Sequence, residues 1–355
     1  MNSMSNSTQR GKRNLLISLV TIGALLLGSL VMVTFSYDSI KSYLAKFVVE
    51  DYDGEPGPET TITIVAGDDG AAVASKMLEA DIVKSFDAVY REMLNADFTI
   101  YPGTYSFPTK ISGATALRLL IDGKNRVVNQ VTIPEGMRIQ KLIPLVAEAL
   151  SLESDALYAA LETQRERISE DAPTLEGYLF PATYTFDPNV TAETVIRTMV
   201  DRMEAELASF GVELKDAHEL LSLAALIQAE GKHEEDFFKI SRVFANRLDK
   251  GMLLQSDPTV KYRYEEEQSN FTDGVKDASN PFNTYIYKGI PVGPVGNPGS
   301  LAIEAALRPA DGDWLFFVAI NLKTGETVFS TTLAEHEKAA ELYRQWLRDN
   351  PEWNE

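Results

Sequence analysis

The stretch TITIVAGDDGAAVASKMLEADIVKSFDAVYREMLNADFTIYPGTYSF, residues 61–107, sets the fold class. TITIVAG alternates apolar and polar side chains, the period of a half-buried strand. AAVASKMLEA and VKSFDAVYREML carry apolar residues at helical spacing. DFTIYPGTYSF returns to aromatic and β-branched residues and reads as a second strand. The order is strand, helix, helix, strand, an α+β arrangement.

The same plan returns in residues 130–186. QVTIPEG reads as a strand, RIQKLIPLVAEAL and ESDALYAALETQ as helices, and LEGYLFPATYTF as the closing strand. The closing phrases GTYSF (Gly103–Phe107) and ATYTF (Ala182–Phe186) match closely, which points to an internal duplication. A unit this small buries little surface alone, so each copy is expected to pack on the other or on the domain C-terminal to both. The order resembles that of LysM, a small glycan-binding module. Between the copies, GATALRLLIDGK, residues 113–124, reads as a connecting helix.

Upstream, LLISLVTIGALLLGSLVMVTF, Leu15–Phe35, holds 21 residues without a charge. As a helix it would be ~31 Å long, enough for a ~30 Å hydrocarbon core. It is longer than the apolar part of a cleaved signal peptide, and no A-x-A site comes after it. Arg10, Lys12 and Arg13 precede it, so the expectation is a single-pass anchor in the cell membrane. Residues 1–14 would be a cytoplasmic tail, and everything after the span would be extracytoplasmic. Residues 36–59, ending in the Pro- and Gly-rich acidic run DYDGEPGPET, read as a juxtamembrane linker. Residues 60–190 would hold the two LysM-like units and residues 191–355 a mixed helical and β catalytic domain.

Composition removes several chemistries. The chain has 355 residues, a net charge of −19 and no cysteine. The acidity argues against a nucleic-acid partner. Without cysteine there are no disulfides, thiol nucleophiles or cysteine metal sites. No HExxH, GxxxxGK[ST], GxGxxG or GxSxG occurs among the residues, so no cofactor or metal is expected. Of the three histidines, His336 sits alone at the opening of a C-terminal helix, where a cap or core role outweighs that of a base.

The chemistry is expected in LSLAALIQAEGKHEEDFFKISRVFANRL, Leu221–Leu248. Leu220, Leu223, Leu226 and Ile227 recur at helical spacing, and Glu230 extends that stripe. Two readings stand side by side. A carboxylate at a helix end that reaches water does nothing in particular. One kept from water has a raised pKa and can hold and donate a proton near neutrality. A second helix begins near Asp236, a plausible N-cap, and closes with Gly251. Further on, seven of the eleven residues Gly289–Gly299 are Gly or Pro, with no charge. Such a stiff loop is either a fixed wall of a cleft or a surface loop resting on helices. SLAIEAALRP then reads as a helix, and DWLFFVAI and ETVFS as antiparallel strands.

LIQAEG, VFANRL, GMLLQSDPTVKY, NTYIYKGIPVGPVGNPG, AALRP, LFFVA and EH stand in the order found in the YceG-like family. VTIPEG, EGYLFPATYTF and the apolar N-terminal run add to the resemblance, which covers roughly residues 60–345. The family is that of endolytic murein transglycosylases, also called MltG. The resemblance implies an enzyme that cuts peptidoglycan strands internally, between N-acetylmuramic acid and N-acetylglucosamine, without water, leaving 1,6-anhydromuramyl ends. It implies Glu230 as the catalytic acid and base. Many members have a second Glu two positions earlier, where this chain has Gln228. Substrate contacts are expected at Gln255, Ser256, Asp257, Thr259, Asn283, Thr284, Tyr285 and Asn297. Asp257 would either stabilise positive charge on the sugar or cap the turn before Pro258. Arg247 would bind a peptide-stem carboxylate or pair with Asp257, and Glu176 would be structural or touch glycan. Partners would be glycan strands, the membrane, and peptidoglycan synthases or other elongation and division proteins. The competing reading is a non-catalytic glycan-binding scaffold that recruits synthases.

Overall fold

The structure, a computed structural model, describes residues 49–263 and 274–353. The expected membrane span, Leu15–Phe35, and the tail before it lie outside these residues. Among the described residues no helix is long and apolar enough to cross a membrane. The chain forms two compact units that divide between Val127 and Val128.

In the first unit, strands β1 (Glu59–Ile64), β2 (Gly103–Pro108) and β3 (Arg126–Val127) form one antiparallel sheet in that order. The alternation of TITI places Ile62 and Ile64 inside and Thr61 and Thr63 outside. Helices α1 (Gly70–Glu79), α2 (Phe86–Asn95) and α3 (Gly113–Asp122) cover it. Asp69, Ser85 and Ser112 each cap a helix by accepting a backbone N–H from the first turn. The core is built from Ile62, Ile64, Val73, Met77, Val89, Phe107 and Leu117. Residues 51–58, expected as a linker, carry no regular structure but are tied to this unit. The Asp51 carboxylate accepts the Gly113 N–H at the start of α3, and Gly57 and Pro58 bond to Thr109.

The second unit opens with the second copy. Strands β4 (Asn129–Thr132) and β5 (Thr183–Phe186) pair antiparallel, and helices α4 (Ile139–Leu150) and α5 (Ser154–Glu162) lie between them in sequence. The strand–helix–helix–strand order is present in both copies, but both closing strands are shorter than expected. They begin only after Pro102 and Pro181, because proline has no N–H for the ladder.

Helices α6 (Ala192–Ser209), α7 (His218–Glu230) and α8 (Glu234–Asp249) come next. Leu142, Val146, Leu179, Met199, Leu221, Ala225, Ile227, Phe244 and Ile303 belong to one continuous core. The apolar stripe expected on α7 is displaced. Leu220 and Leu223 are only partly buried, whereas Leu221, Ser222 and the run Ala224–Ile227 are buried. The alanines let α8 and helix α10 (Ser300–Leu307) approach closely, so α7 is enclosed on most sides. Asp236 is not the cap of α8: the helix starts two residues earlier, after His233. It ends at Asp249 with Lys250 as its C-cap, and Gly251 takes the left-handed backbone expected of it.

A short helix, α9 (Asp257–Lys261), lies between α8 and α10. After α10, strands β6 (Phe316–Asn321) and β7 (Glu326–Ser330) pair antiparallel, with Phe317 opposite Phe329. Helix α11 (Leu333–Asp349) begins with a capping box between Thr332 and Glu335. His336 is therefore not the cap: its ring stacks on Phe316 at 5.2 Å.

Candidate active site

Glu230 is the last residue of α7, and the Gly231 N–H closes the helix by bonding to the Ile227 carbonyl at 2.9 Å. The unpaired carbonyls of a helix C-terminus disfavour negative charge there. The side chain is largely enclosed but keeps some accessible surface. Its Oε1 accepts a hydrogen bond from Ser256 Oγ at 2.7 Å. Burial pushes the carboxyl up to about 7, against the Ser256 hydrogen bond, which favours the charged form. Asp257 nearby raises it further, while Lys261 and Arg247 oppose. Of the two readings of this residue, the structure favours the desolvated carboxyl over the solvated helix end.

Ser256 is 2% exposed, and its backbone is held from two sides. Its N–H donates to Thr284 Oγ1 at 3.0 Å, and its carbonyl accepts from Thr259 Oγ1 at 2.6 Å. The two threonine hydroxyls lie 3.0 Å apart, and the Thr284 N–H reaches Thr259 Oγ1. Gln255, just before, has a left-handed backbone with φ of 51° and donates its N–H to the Thr284 carbonyl. A non-glycine residue with positive φ is strained and persists only when its surroundings hold it there. Thr259 and Thr284, both buried, thus form a latch that fixes Ser256 under Glu230. The side chain of Gln255 is exposed beside it.

Asp257 accepts the Tyr285 hydroxyl at 2.5 Å instead of capping a turn. Burial and this bond push the Tyr285 phenol up, so it remains a donor. Arg247 does not pair with Asp257. Its buried guanidinium donates to the carbonyls of Leu315, Leu254 and Leu253 and lies over the Phe316 ring at 5.2 Å. With Nε and Nη1 turned to the backbone, it acts on Glu230 through its charge.

The Gly289–Gly299 segment is a buried wall. Pro291 and every residue from Gly293 to Gly299 are buried, and Val292 is exposed. A Cβ at Gly296 would lie 2.5 Å from the Gly136 carbonyl oxygen, so only glycine fits there. Gln228 Oε1 accepts the Gly299 N–H at 3.0 Å, tying the end of this wall to the helix that carries Glu230. His218 Nε2 bonds the Val292 carbonyl at 3.1 Å from the other end of the same helix.

Thr259 and Thr284, expected to touch sugar, are buried and committed to the latch, and two more such residues are committed to the fold. Asn297 is fully buried: its Oδ1 accepts from Gly177 and Leu179, and its Nδ2 donates to the Met137 carbonyl and Glu176. Asn283, also fully buried, donates to the carbonyls of Gly274, Val275 and Asp277 and accepts the Tyr285 N–H. The Asn297 amide has no capacity left for an acetamido group, and the Asn283 amide, its donors used, is out of reach of one through burial. Glu176, 4% exposed, accepts from the Ile139 N–H at the start of α4, from Asn297 and from the Tyr262 hydroxyl. Burial pushes it up to about 7 as well. It joins α4, the wall and the residue after α9, which is a structural role.

Lys261 does not stand out in the sequence, although its spacing of four from Asp257 places both on one face of α9. Among the described residues, no cluster of three His, Asp or Glu side chains could hold a metal ion.

Residues 62–342 match the YceG-like family. A Bacillus subtilis (strain 168) protein named endolytic murein transglycosylase is 31% identical over 320 residues, which cover 84% of this chain and 88% of that one. A Streptococcus pneumoniae (D39) protein of the same name is 27% identical over 319 residues, covering 78% of this chain and 57% of its own. The crystal structure of a YceG-like protein from Listeria monocytogenes matches with a TM-score of 0.51 at 27% identity. It covers 79% of this chain and 98% of that one.

Proposed function

Because the chain belongs to the YceG-like family, we propose that it is an endolytic murein transglycosylase with Glu230 as its acid and base. It would cut the bond between N-acetylmuramic acid and N-acetylglucosamine within nascent strands, leave 1,6-anhydromuramyl ends and so end strand elongation. The observation that carries this reading is a single carboxyl at a helix end, enclosed, hydrogen-bonded by Ser256 and raised to about 7. Hydrolytic glycosidases use two carboxylates. An intramolecular reaction needs one, because the nucleophile is the muramyl C6 hydroxyl already held beside C1. Glu230 gives its proton to the glycosidic oxygen as the C1–O bond breaks. The resulting carboxylate then takes the C6 hydroxyl proton as that oxygen closes on C1. Both steps favour an acid whose pKa lies near the working pH.

Asp257, beside Glu230 and hydrogen-bonded by the Tyr285 hydroxyl, would stabilise positive charge on the sugar ring. Gln255 and Tyr285 are the remaining expected contacts with accessible surface for substrate. Each of the two strand–helix–helix–strand copies, LysM-like in order, would bind glycan. Leu15–Phe35 would anchor the chain in the cell membrane with the Glu230 unit outside, within reach of peptidoglycan synthases and other elongation or division proteins.

The test is digestion of purified glycan strands with mass spectrometry of the new ends. The parent protein is expected to give ends lighter by one water than hydrolysis would, and Glu230→Gln none. Binding without cutting by the parent would favour the scaffold reading.

A further inference from the structure

Ser256 has no assigned role beyond the expectation that it meets substrate, and its surroundings argue for another. The residue is 2% exposed, its N–H and carbonyl are engaged by Thr284 and Thr259, and its hydroxyl lies 2.7 Å from Glu230 Oε1. A hydroxyl has one proton to donate, and here it is donated to Oε1.

We propose that Ser256 is a positioning residue that holds Oε1 of Glu230 as a permanent acceptor, so that Oε2 alone carries the catalytic proton in both halves of the reaction. This rests on the transglycosylase reading above. In the first half, the Oε2–H bond breaks, the proton passes to the glycosidic oxygen and the C1–O bonding pair leaves with that oxygen. In the second, the C6 oxygen forms a bond to C1 and its proton returns to Oε2. Nothing else is consumed. One oxygen gives and takes back the proton without rotation of the carboxyl, which a group shared between two donors would need.

The threonine latch explains why this geometry is held. Without it, Gln255 would relax from its left-handed backbone, and the Ser256 hydroxyl would turn from Glu230. The bond also favours the ionised carboxyl, which opposes burial and keeps the group able to act as a base.

The test uses Ser256→Ala and Ser256→Cys in the full-length protein, with strand cutting measured against pH. Ser256→Cys nearly preserves shape while replacing a strong donor with a weak one. Loss of one hydrogen bond to a charged group is expected to lower kcat roughly 10–100-fold in both variants, with KM little changed. The upper limb of the kcat profile should move to higher pH, because the ionised carboxyl has lost its donor. Circular dichroism and melting check that the variants are folded. Parent-like kcat in either folded variant overturns the proposal, as does a lowered kcat with an unmoved limb. If the parent itself produces no anhydromuramyl ends, the transglycosylase reading has failed instead, and the two failures are told apart by that first digest.

Discussion

Replacing Glu230 by Gln is expected to abolish cutting and to make the protein more stable at alkaline pH. In the folded chain the carboxyl is pushed up to about 7 from an ordinary 4.5. The native state therefore holds this proton more tightly than the unfolded state does. Its contribution is fully present below 4.5 and is lost as pH rises through 7. At ~1.4 kcal/mol per pH unit, the gap between the two values amounts to about 3 kcal/mol at pH 8 and about 1 kcal/mol or less at pH 5. Gln has nearly the same shape, carries no charge, and its amide oxygen still accepts the Ser256 hydroxyl. The variant should thus gain about 3 kcal/mol over the parent at pH 8, and much less at pH 5. Urea melts at both pH values, read by tryptophan fluorescence, provide the assay. Trp314, Trp346 and Trp353 are the chain's three tryptophans, and all lie in the unit that contains Glu230. A variant no more stable than the parent at pH 8, or one whose gain is the same at pH 5, would refute the desolvated carboxyl.

Asp257→Asn removes a negative charge that raises Glu230, so the upper limb of the pH–rate profile should move down, as read from initial rates between pH 5 and 9. Glu176→Ala should cost about 2–4 kcal/mol in urea melts, because it leaves the Ile139 N–H, Asn297 and Tyr262 without their buried acceptor. Gly296→Ala forces a methyl to within 2.5 Å of the Gly136 carbonyl oxygen. It should lower stability by about 1–3 kcal/mol and weaken cutting, both measured on purified protein. Cutting should survive a chelator, since the reaction drawn for Glu230 uses only its own proton and a hydroxyl of the substrate.

Much of this is legible in the chain. The alternation of TITI and the helical spacing after it give the first unit, and the copy at residues 130–186 repeats the plan. Glu230 stands out because an acid ends an apolar run. Its environment is not legible, because it comes from residues far along the chain. Ser256 lies 26 positions away, and Gly299, which fastens the wall to α7, lies 71 positions from its partner Gln228. Spacing within a helix says nothing about such pairings. The asparagines show the same limit. Asn283 and Asn297 have the chemistry of a sugar contact, but their burial, visible only in three dimensions, gives their amides to the fold. Arg247 escapes a reading of side chains for a related reason: the carbonyls just after α8 and just before β6 that hold it are invisible in a string of residue types. The prolines at 102 and 181 are visible, and their full weight as strand breakers shortens both closing strands correctly.

The central claim is that one carboxyl is kept protonated near neutrality. Its most direct test is a carbon-13 titration of the glutamate side chains in the folded protein. Glu230→Gln would identify the Glu230 resonance, and a Glu176→Gln variant would separate it from the other raised carboxyl. A Glu230 midpoint close to 7 is the predicted result; a midpoint at the ordinary 4.5 would contradict it.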